Sequence, residues 1–233
     1  MRICLDAGHG GKDSGACGAY SKEKDIALKA VKYLGELLTE IGFEVIYTRT
    51  TDTYVNLLDR AKLANANAVD LFVSVHCNGA TNSEANGTET LCYERCKVGE
   101  CIQSALISET GLRNRGLKIR KDLAVLNSTR MTAVLIELAF ISNKTEEALL
   151  NDDSWIIRCA KAIADGICRC YGIPYIEEES EMVTETTMNI GGSNKIVRRI
   201  LKDGENYVRL RDLESIINIG YDAATKKVSI SAK

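Results

Sequence analysis

Leu71-Phe72-Val73-Ser74-Val75-His76 is an almost unbroken apolar run closed by a histidine, and its reading decides the fold. A strand with one wet face would alternate apolar and polar residues. A continuous run fits a strand covered on both faces, as in a parallel sheet between helices. Ile3-Cys4-Leu5 and Ala133-Val134-Leu135-Ile136 have the same character, and Phe43-Glu44-Val45-Ile46-Tyr47 reads as a further strand. Stretches of helical spacing lie between them. Residues 25–41 place Ala27, Ala30, Val31, Leu34, Leu37, Leu38 and Ile41 on one face, with Gly42 as a stop. Leu57, Leu58, Ala61 and Ala64 mark a second helix. Ile156, Cys159, Ala160, Ile163, Ile167 and Cys170 mark a last one over 153–171. Strands alternating with helices predict an α/β domain over residues 1–174 with a largely parallel sheet.

The only proline, Pro174, follows that last helix. Residues 175–192 hold Glu177, Glu178, Glu179, Glu181 and Glu185 and no basic residue, and read as an acidic linker, with a helical extension over part of it left open. Residues 193–233 change pattern again. Ile196–Leu201 and Tyr207–Leu210 flank Asp203-Gly204, a hairpin turn signal. Asp212–Ile219 reads as a short helix and Lys227–Ser231 as a final strand, which makes a small α+β module. It has nine basic against five acidic residues and no cysteine. A unit of about 40 residues is at the edge of what folds alone, so packing on the first domain or association with a second copy, a homodimer, is expected.

Composition excludes some classes. The 233 residues carry a net charge of −2, without the basic excess of a nucleic-acid binder. No apolar run approaches the ~18 residues of a membrane span. Met1-Arg2-Ile3-Cys4-Leu5-Asp6 is no signal peptide, and nine cysteines are an odd number, so reduced thiols are expected. Cys92/Cys96/Cys101 and Cys168/Cys170 lack paired CxxC spacing, so they read as small apolar residues before they read as zinc ligands.

The chemistry starts from the two histidines. His9 and His76 each follow an apolar strand, and in open α/β sheets ligands bind beyond the carboxyl ends of the strands. A catalytic zinc commonly takes two histidines and one carboxylate and keeps one position open. Ser21-Lys22-Glu23-Lys24-Asp25 offers the carboxylate, just before the first helix. The residues leave open whether Glu23 ligates or whether Glu23 or Asp25 merely complements the helix N-terminus. Glu137 interrupts Ala133–Phe140, where a carboxylate is costly without a partner. At a strand end in the same crevice it would be a general base; exposed to solvent, it would have no such role.

Several separate stretches together resemble one family. Asp6-Ala7-Gly8-His9-Gly10-Gly11-Lys12-Asp13-Ser14-Gly15-Ala16, Glu23-Lys24-Asp25, Thr48-Arg49-Thr50-Thr51-Asp52, Arg60, Ala64-Asn65 and Ser74-Val75-His76-Cys77-Asn78 are similar to the zinc-dependent N-acetylmuramoyl-L-alanine amidases of the amidase-3 type. Arg115-Gly116-Leu117-Lys118 and Ile136–Asn143 continue the resemblance in order, over residues 1–172. It implies a mixed, mostly parallel sheet of about six strands flanked by helices. It implies zinc held by His9, Glu23 and His76, with Glu137 as the catalytic carboxylate. The implied substrate is peptidoglycan, cut at the amide between N-acetylmuramic acid and L-alanine of the stem peptide.

Two departures stand out. Thr132 occupies a position where the family commonly has proline. Cys77 follows His76 and, on a strand, should point away from the metal. The segment between His76 and Glu137 is too short for the inhibitory helical insertion of some relatives, so an open groove is expected. The tail faintly resembles small modules of bacterial wall proteins, which implies binding to a secondary wall polymer, with dimerisation as the alternative. An enzyme of the wall with no export signal fits a phage endolysin of a Gram-positive host, made in the cytoplasm and released at lysis. A host autolysin freed by mother-cell lysis would look the same. Two rival readings are a non-catalytic wall binder on an amidase scaffold and a zinc hydrolase of small amides.

Overall fold

The structure, a computed structural model, describes residues 1–175, 182–190, 193–202, 205–208, 217–222 and 227–232. The chain divides into two compact units, Met1–Tyr175 and Ile176–Lys233.

The first unit is built on six strands, β1 (Arg2–Ala7), β2 (Glu44–Tyr47), β3 (Leu71–Asn78), β4 (Thr88–Cys92), β5 (Asn114–Ile119) and β6 (Thr132–Phe140). Their order across the sheet is β2-β1-β3-β6-β4-β5. The strands β2, β1, β3 and β6 run parallel, whereas β4 is antiparallel to β6 and parallel to β5. This is the α/β architecture with a mixed, mostly parallel sheet that the sequence predicts. The helices are α1 (Glu23–Ile41), α2 (Leu57–Ala66), α3 (Lys97–Thr110), α4 (Ala124–Asn127), α5 (Lys144–Leu150) and α6 (Asp153–Tyr171).

Side-chain alternation sorts the sheet into two faces. Ile3, Leu5, Ala7, Leu71, Val73, Val75, Cys77, Val134, Ile136 and Leu138 point into the larger core. There they meet Ala27, Val31, Leu34 and Leu38 of α1, Ile102 and Leu106 of α3, and Trp155, Ile156, Cys159 and Ile163 of α6. Cys4, Phe72, Leu91, Ala133 and Leu135 point the other way, against Ala64, Val125 and Leu126. Asp6, Ser74, His76, Glu89 and Glu137 share this second face by register. Polar groups therefore gather where one face runs out of apolar cover.

In α2 the sequence reading puts Leu57 and Leu58 on the buried face, yet they are 55% and 50% exposed. Arg60, Ala61 and Ala64 are buried instead. The guanidinium of Arg60 reaches the carboxylate of the fully buried Asp6 at 2.8 Å, and a paired interior charge turns the helix away from the face its leucines suggest.

In the second unit, β7 (Met182–Ile190) pairs antiparallel with β8 (Ser193–Lys202), and β8 with β9 (Glu205–Val208). β10 (Ile217–Asp222) pairs antiparallel with β11 (Lys227–Ala232). β8 and β9 flank the expected Asp203-Gly204 turn, which itself lies outside the described residues, as do residues 209 and 210. Two expectations are corrected. Residues 182–190 form a strand within the stretch read as an acidic linker, whose remaining residues 176–181 and 191–192 lie outside the described residues. Ile217–Ile219 are strand, not the end of a helix, and residues 212–216 of that expected helix lie outside the described residues. Val183, Thr184, Thr186, Thr187 and Ile190 are β-branched, as are Ile217 and Ile219, and that preference outweighs the charge pattern and spacing.

Candidate metal and active site

His9, Glu23 and His76 come together at the carboxyl ends of β1 and β3, and one ligand atom from each lies within 4.8 Å of the others. Glu23 is the first residue of α1 and is buried. Its Oε2 lies 3.1 Å from Nε2 of His9 and its Oε1 lies 2.7 Å from Nδ1 of His76. The backbone N–H groups of Ala16 and Cys77 donate to the same carboxylate, at 2.7 and 3.0 Å. The imidazole rings meet edge to face with centroids 4.9 Å apart. Cys77 itself points into the opposite core, as strand alternation requires.

The loop carrying His9 is held by charges that sequence reasoning assigned no role. Arg49 donates to the carbonyls of Ala7, Gly8 and Lys24, and Arg60 donates to those of Val55, Ala7 and His9. Asp6 anchors Arg60, Thr48 and Ser74 at 2.6–2.8 Å. These bonds hold His9 at φ 59°, a left-handed conformation uncommon for a residue with a side chain. Asp13 Oδ2 lies 2.9 Å from Nδ1 of His9, which leaves Nε2 facing Glu23. Two glycines make the close approach feasible. A Cβ on Gly8 would lie 2.4–2.7 Å from three atoms of the His76 ring, and one on Gly15, at φ +66°, would lie 2.5 Å from both Glu23 Oε2 and the His9 ring.

The protonation chemistry follows from this clasp. Burial works to lower the pKa of His9, but Glu23 and Asp13 outweigh it and raise the ring to about 9. His76 is raised too, burial again being overcome by Glu23. Burial alone would raise Glu23, yet the two imidazoles hold it far below the usual carboxylate range. Two imidazoles, whose protons a metal ion would displace, and a carboxylate held ionised, preorganised on three segments, could hold a metal ion.

Glu137 sits opposite His76 in the β3–β6 register, on the same face. Its Oε2 is sealed from solvent and has no hydrogen-bond partner among the described residues. Burial pushes this carboxyl up to about 7, against the pull of His76. Immediately beyond, the β3–β6 register shifts between His76 and Asn78, a local irregularity of the kind found beside active sites. Asn78 Nδ2 donates to Glu89 Oε1 at 3.0 Å, and Arg115 and Lys118 pair with Glu89 Oε2. Burial would raise Glu89, but these cations hold it below its usual value and leave a fixed negative charge across from Glu137. His9, Glu23, His76 and Glu137 all line one cleft of about 720 Å³, whose walls include Leu57, Leu91, Leu123, Val125, Leu135 and Arg120.

Glu147 supports the approach to Glu23. It is 2% exposed, and its Oε1 accepts from the backbone N–H groups of Tyr20 and Ser21 and from Ser21 Oγ. Burial would raise this carboxyl, but those donors hold it below its ordinary value. A depressed pKa contributes stability above the unfolded pKa of about 4.3 that is lost as pH falls through the folded one. Glu147→Gln should therefore flatten the acid limb of a plot of Tm against pH below about pH 5. An acid limb as steep as the parent's would contradict this role.

Comparison with known proteins gives one consistent result. The family described as N-acetylmuramoyl-L-alanine amidase, of the amidase-3 type, matches residues 3–169. The endolysin of Bacillus phage SPP1 is 38% identical over 214 residues, covering 87% of this chain and 78% of its own. The N-acetylmuramoyl-L-alanine amidase LytC of Bacillus subtilis is 34% identical over 175 residues, or 72% of this chain and 35% of LytC. The catalytic domain of CwlV, an N-acetylmuramoyl-L-alanine amidase from Bacillus (Paenibacillus) polymyxa, superposes with a TM-score of 0.71 at 35% identity. That superposition covers 74% of this chain and 99% of the CwlV domain.

Proposed function

The chain belongs to the N-acetylmuramoyl-L-alanine amidase family, and from that premise we propose that His9, Glu23 and His76 hold zinc while Glu137 moves the proton of amide hydrolysis. The enzyme is a peptidoglycan amidase. The observation that carries the assignment of residues is the pairing of two features in one cleft. One is a clasp of two imidazoles and a carboxylate, and the other is the partnerless, sealed Oε2 of Glu137 beside it. The donor set is that of a hydrolytic zinc site with a position left open. Zinc bound there would supply Lewis acidity toward the amide carbonyl and would lower the pKa of water.

The remaining steps belong to the chain's own residues. Glu137, ionised near pH 7, takes a proton from the attacking water at a carboxylate oxygen. It returns that proton to the L-alanine nitrogen as the C–N bond breaks, leaving a lactyl carboxylate and a free amine. Burial first, then the negative charges of Glu23 and of Glu89, itself held ionised by Arg115 and Lys118, keep the Glu137 carboxyl up, which makes it a proton acceptor and donor in turn. Asp13 fixes the His9 tautomer so that Nε2 faces the metal position.

This reading is tested by zinc content. Dialysed protein should bind one zinc ion per chain, and a chelator should abolish wall clearing until zinc is restored. Chelator-insensitive clearing would overturn the metal assignment. Asp13→Ala should weaken zinc by about 10–100-fold in competition with a chromophoric chelator while the fold is kept. Unchanged affinity would remove Asp13 from the account.

We further propose that the C-terminal unit holds the enzyme on the wall through a secondary polymer, and that the protein works as an endolysin. The similarity to the SPP1 endolysin covers a larger share of the chain than residues 1–175 supply, so it extends into that unit. Nine basic against five acidic residues in 193–233 favour an anionic polymer, an attraction that salt weakens. Among the described residues no helix is long and apolar enough to cross a membrane. A chain ending at Tyr175 should cut soluble muropeptides normally but cosediment with walls several-fold less than the full chain. Equal cosedimentation would leave dimerisation as the reading of the tail.

A further inference from the structure

Away from the cleft, the sulfurs of Cys92 and Cys96 lie 3.4 Å apart. Cys92 ends β4 and is fully buried, whereas Cys96 is the N-cap of α3 and is half-buried. Tyr93-Glu94-Arg95 makes the turn between them. A cavity of about 280 Å³ is lined by these three residues and by Cys96, but not by Cys92, so a small reagent reaches one thiol of the pair.

The two thiols differ in chemistry. Contact with the Cys92 sulfur and with the backbone N–H of Gly99, in the first turn of α3, holds the Cys96 thiol below its ordinary pKa against the effect of burial. The same contact between the sulfurs, with burial, pushes Cys92 up. Gly99 keeps the space over both sulfurs open, since a Cβ there would lie 3.0 Å from one and 3.2 Å from the other. An accessible sulfur with thiolate character and a second thiol in contact with it are the two parts of a thiol–disulfide exchange site.

We propose that Cys92 and Cys96 form a reversible dithiol site, which a low-molecular-weight disulfide converts to an intrachain disulfide closing the β4–α3 turn. The Cys96 thiolate attacks one sulfur of the reagent, forms a mixed disulfide and releases one thiolate. Cys92 then attacks the Cys96 sulfur of the mixed disulfide. Its proton goes to the first thiolate released or to solvent, and the second reagent thiolate departs and takes a proton from water. In sum, two cysteine thiols are oxidised and one reagent disulfide is reduced to two thiols. The sulfurs close from van der Waals contact to a bond of about 2.05 Å. The bond fastens the end of β4, the strand paired with the one that carries Glu137, to the start of α3. By restricting the unfolded chain it should raise Tm by about 5 °C.

Other thiols lack this arrangement. Cys17 is exposed, but its sulfur contacts Ser14 and Gly15. Cys170 hydrogen-bonds Cys101, and burial pushes it up, away from the thiolate form.

The test exposes the full-length protein to glutathione disulfide at pH 7, alkylates the remaining thiols and maps tryptic peptides without reduction. Trypsin cuts after Arg95, so the bond joins two otherwise separate peptides. The expected product is a Cys92–Cys96 linked pair, reversed by dithiothreitol, with Tm raised and amidase activity retained. Cys96→Ser, which leaves a good N-cap residue, should abolish the link and slow thiol loss from the pair by about tenfold. Cys101→Ser should leave the link intact. A glutathione adduct persisting on Cys96 with Cys92 still alkylatable, a Cys101–Cys170 link in its place, or Cys92 and Cys96 both unreacted would each overturn the proposal.

Discussion

Glu137→Gln is expected to leave a folded protein that binds one zinc ion as tightly as the parent and releases L-alanine amino groups about 10²–10⁴-fold more slowly. Glutamine keeps the shape of the side chain and its place opposite His76 on β6. It cannot take a proton at the position where Oε2 is sealed without a partner. It also removes an ionisable group that burial has poised near pH 7. Because Glu137 lies outside the clasp of His9, Glu23 and His76, zinc titration and thermal melting should be nearly those of the parent. The loss should fall on kcat and not on binding to walls. A Glu137→Gln protein with parental turnover would remove proton transfer from this residue and leave its partnerless oxygen unexplained.

His76→Ala should fail differently, losing zinc and activity together. His76 is one of the three proposed ligands, and its ring lies against the backbone of Gly8, where a Cβ would come within 2.7 Å of it. With it gone, two ligands remain, and affinity should fall by more than about a hundredfold, beyond the range expected for a supporting residue such as Asp13. The parent should gain Tm when zinc is added, because an ion that binds only the folded chain stabilises it. His76→Ala should gain almost nothing at the same zinc concentration. The contrast between the two variants separates holding the metal from moving the proton. If His76→Ala bound zinc with parental affinity, the clasp would be a hydrogen-bonded cluster and no metal site.

Apolar runs and helical spacing made the parallel half of the sheet and its long helices legible in the sequence. The other half was not. β4, Thr88-Glu89-Thr90-Leu91-Cys92, is buried along its whole length yet carries polar residues. Thr90 is satisfied by Gln103 and Thr88 by the carbonyl of Leu138, partners that no spacing rule can supply. Arg60 misled the reading of α2 for the same reason, since its charge is spent on Asp6 inside the protein. In the site, the two histidines were legible because each closes an apolar run at a strand's carboxyl end, and Glu137 because it breaks an apolar run. Glu23 was left undecided by spacing and was supplied by the family resemblance. Asp13, Arg49, Asn78 and Glu89 act on other side chains and on loop carbonyls, so they leave no local signature.

The central claim is the bond that is cut. The most direct test incubates the full-length protein with isolated peptidoglycan, with and without a zinc chelator, and identifies the new end groups. The account predicts free amino groups on L-alanine, no new reducing sugar ends, and no release when zinc is chelated. New reducing ends, or amino groups on a residue other than L-alanine, would contradict it.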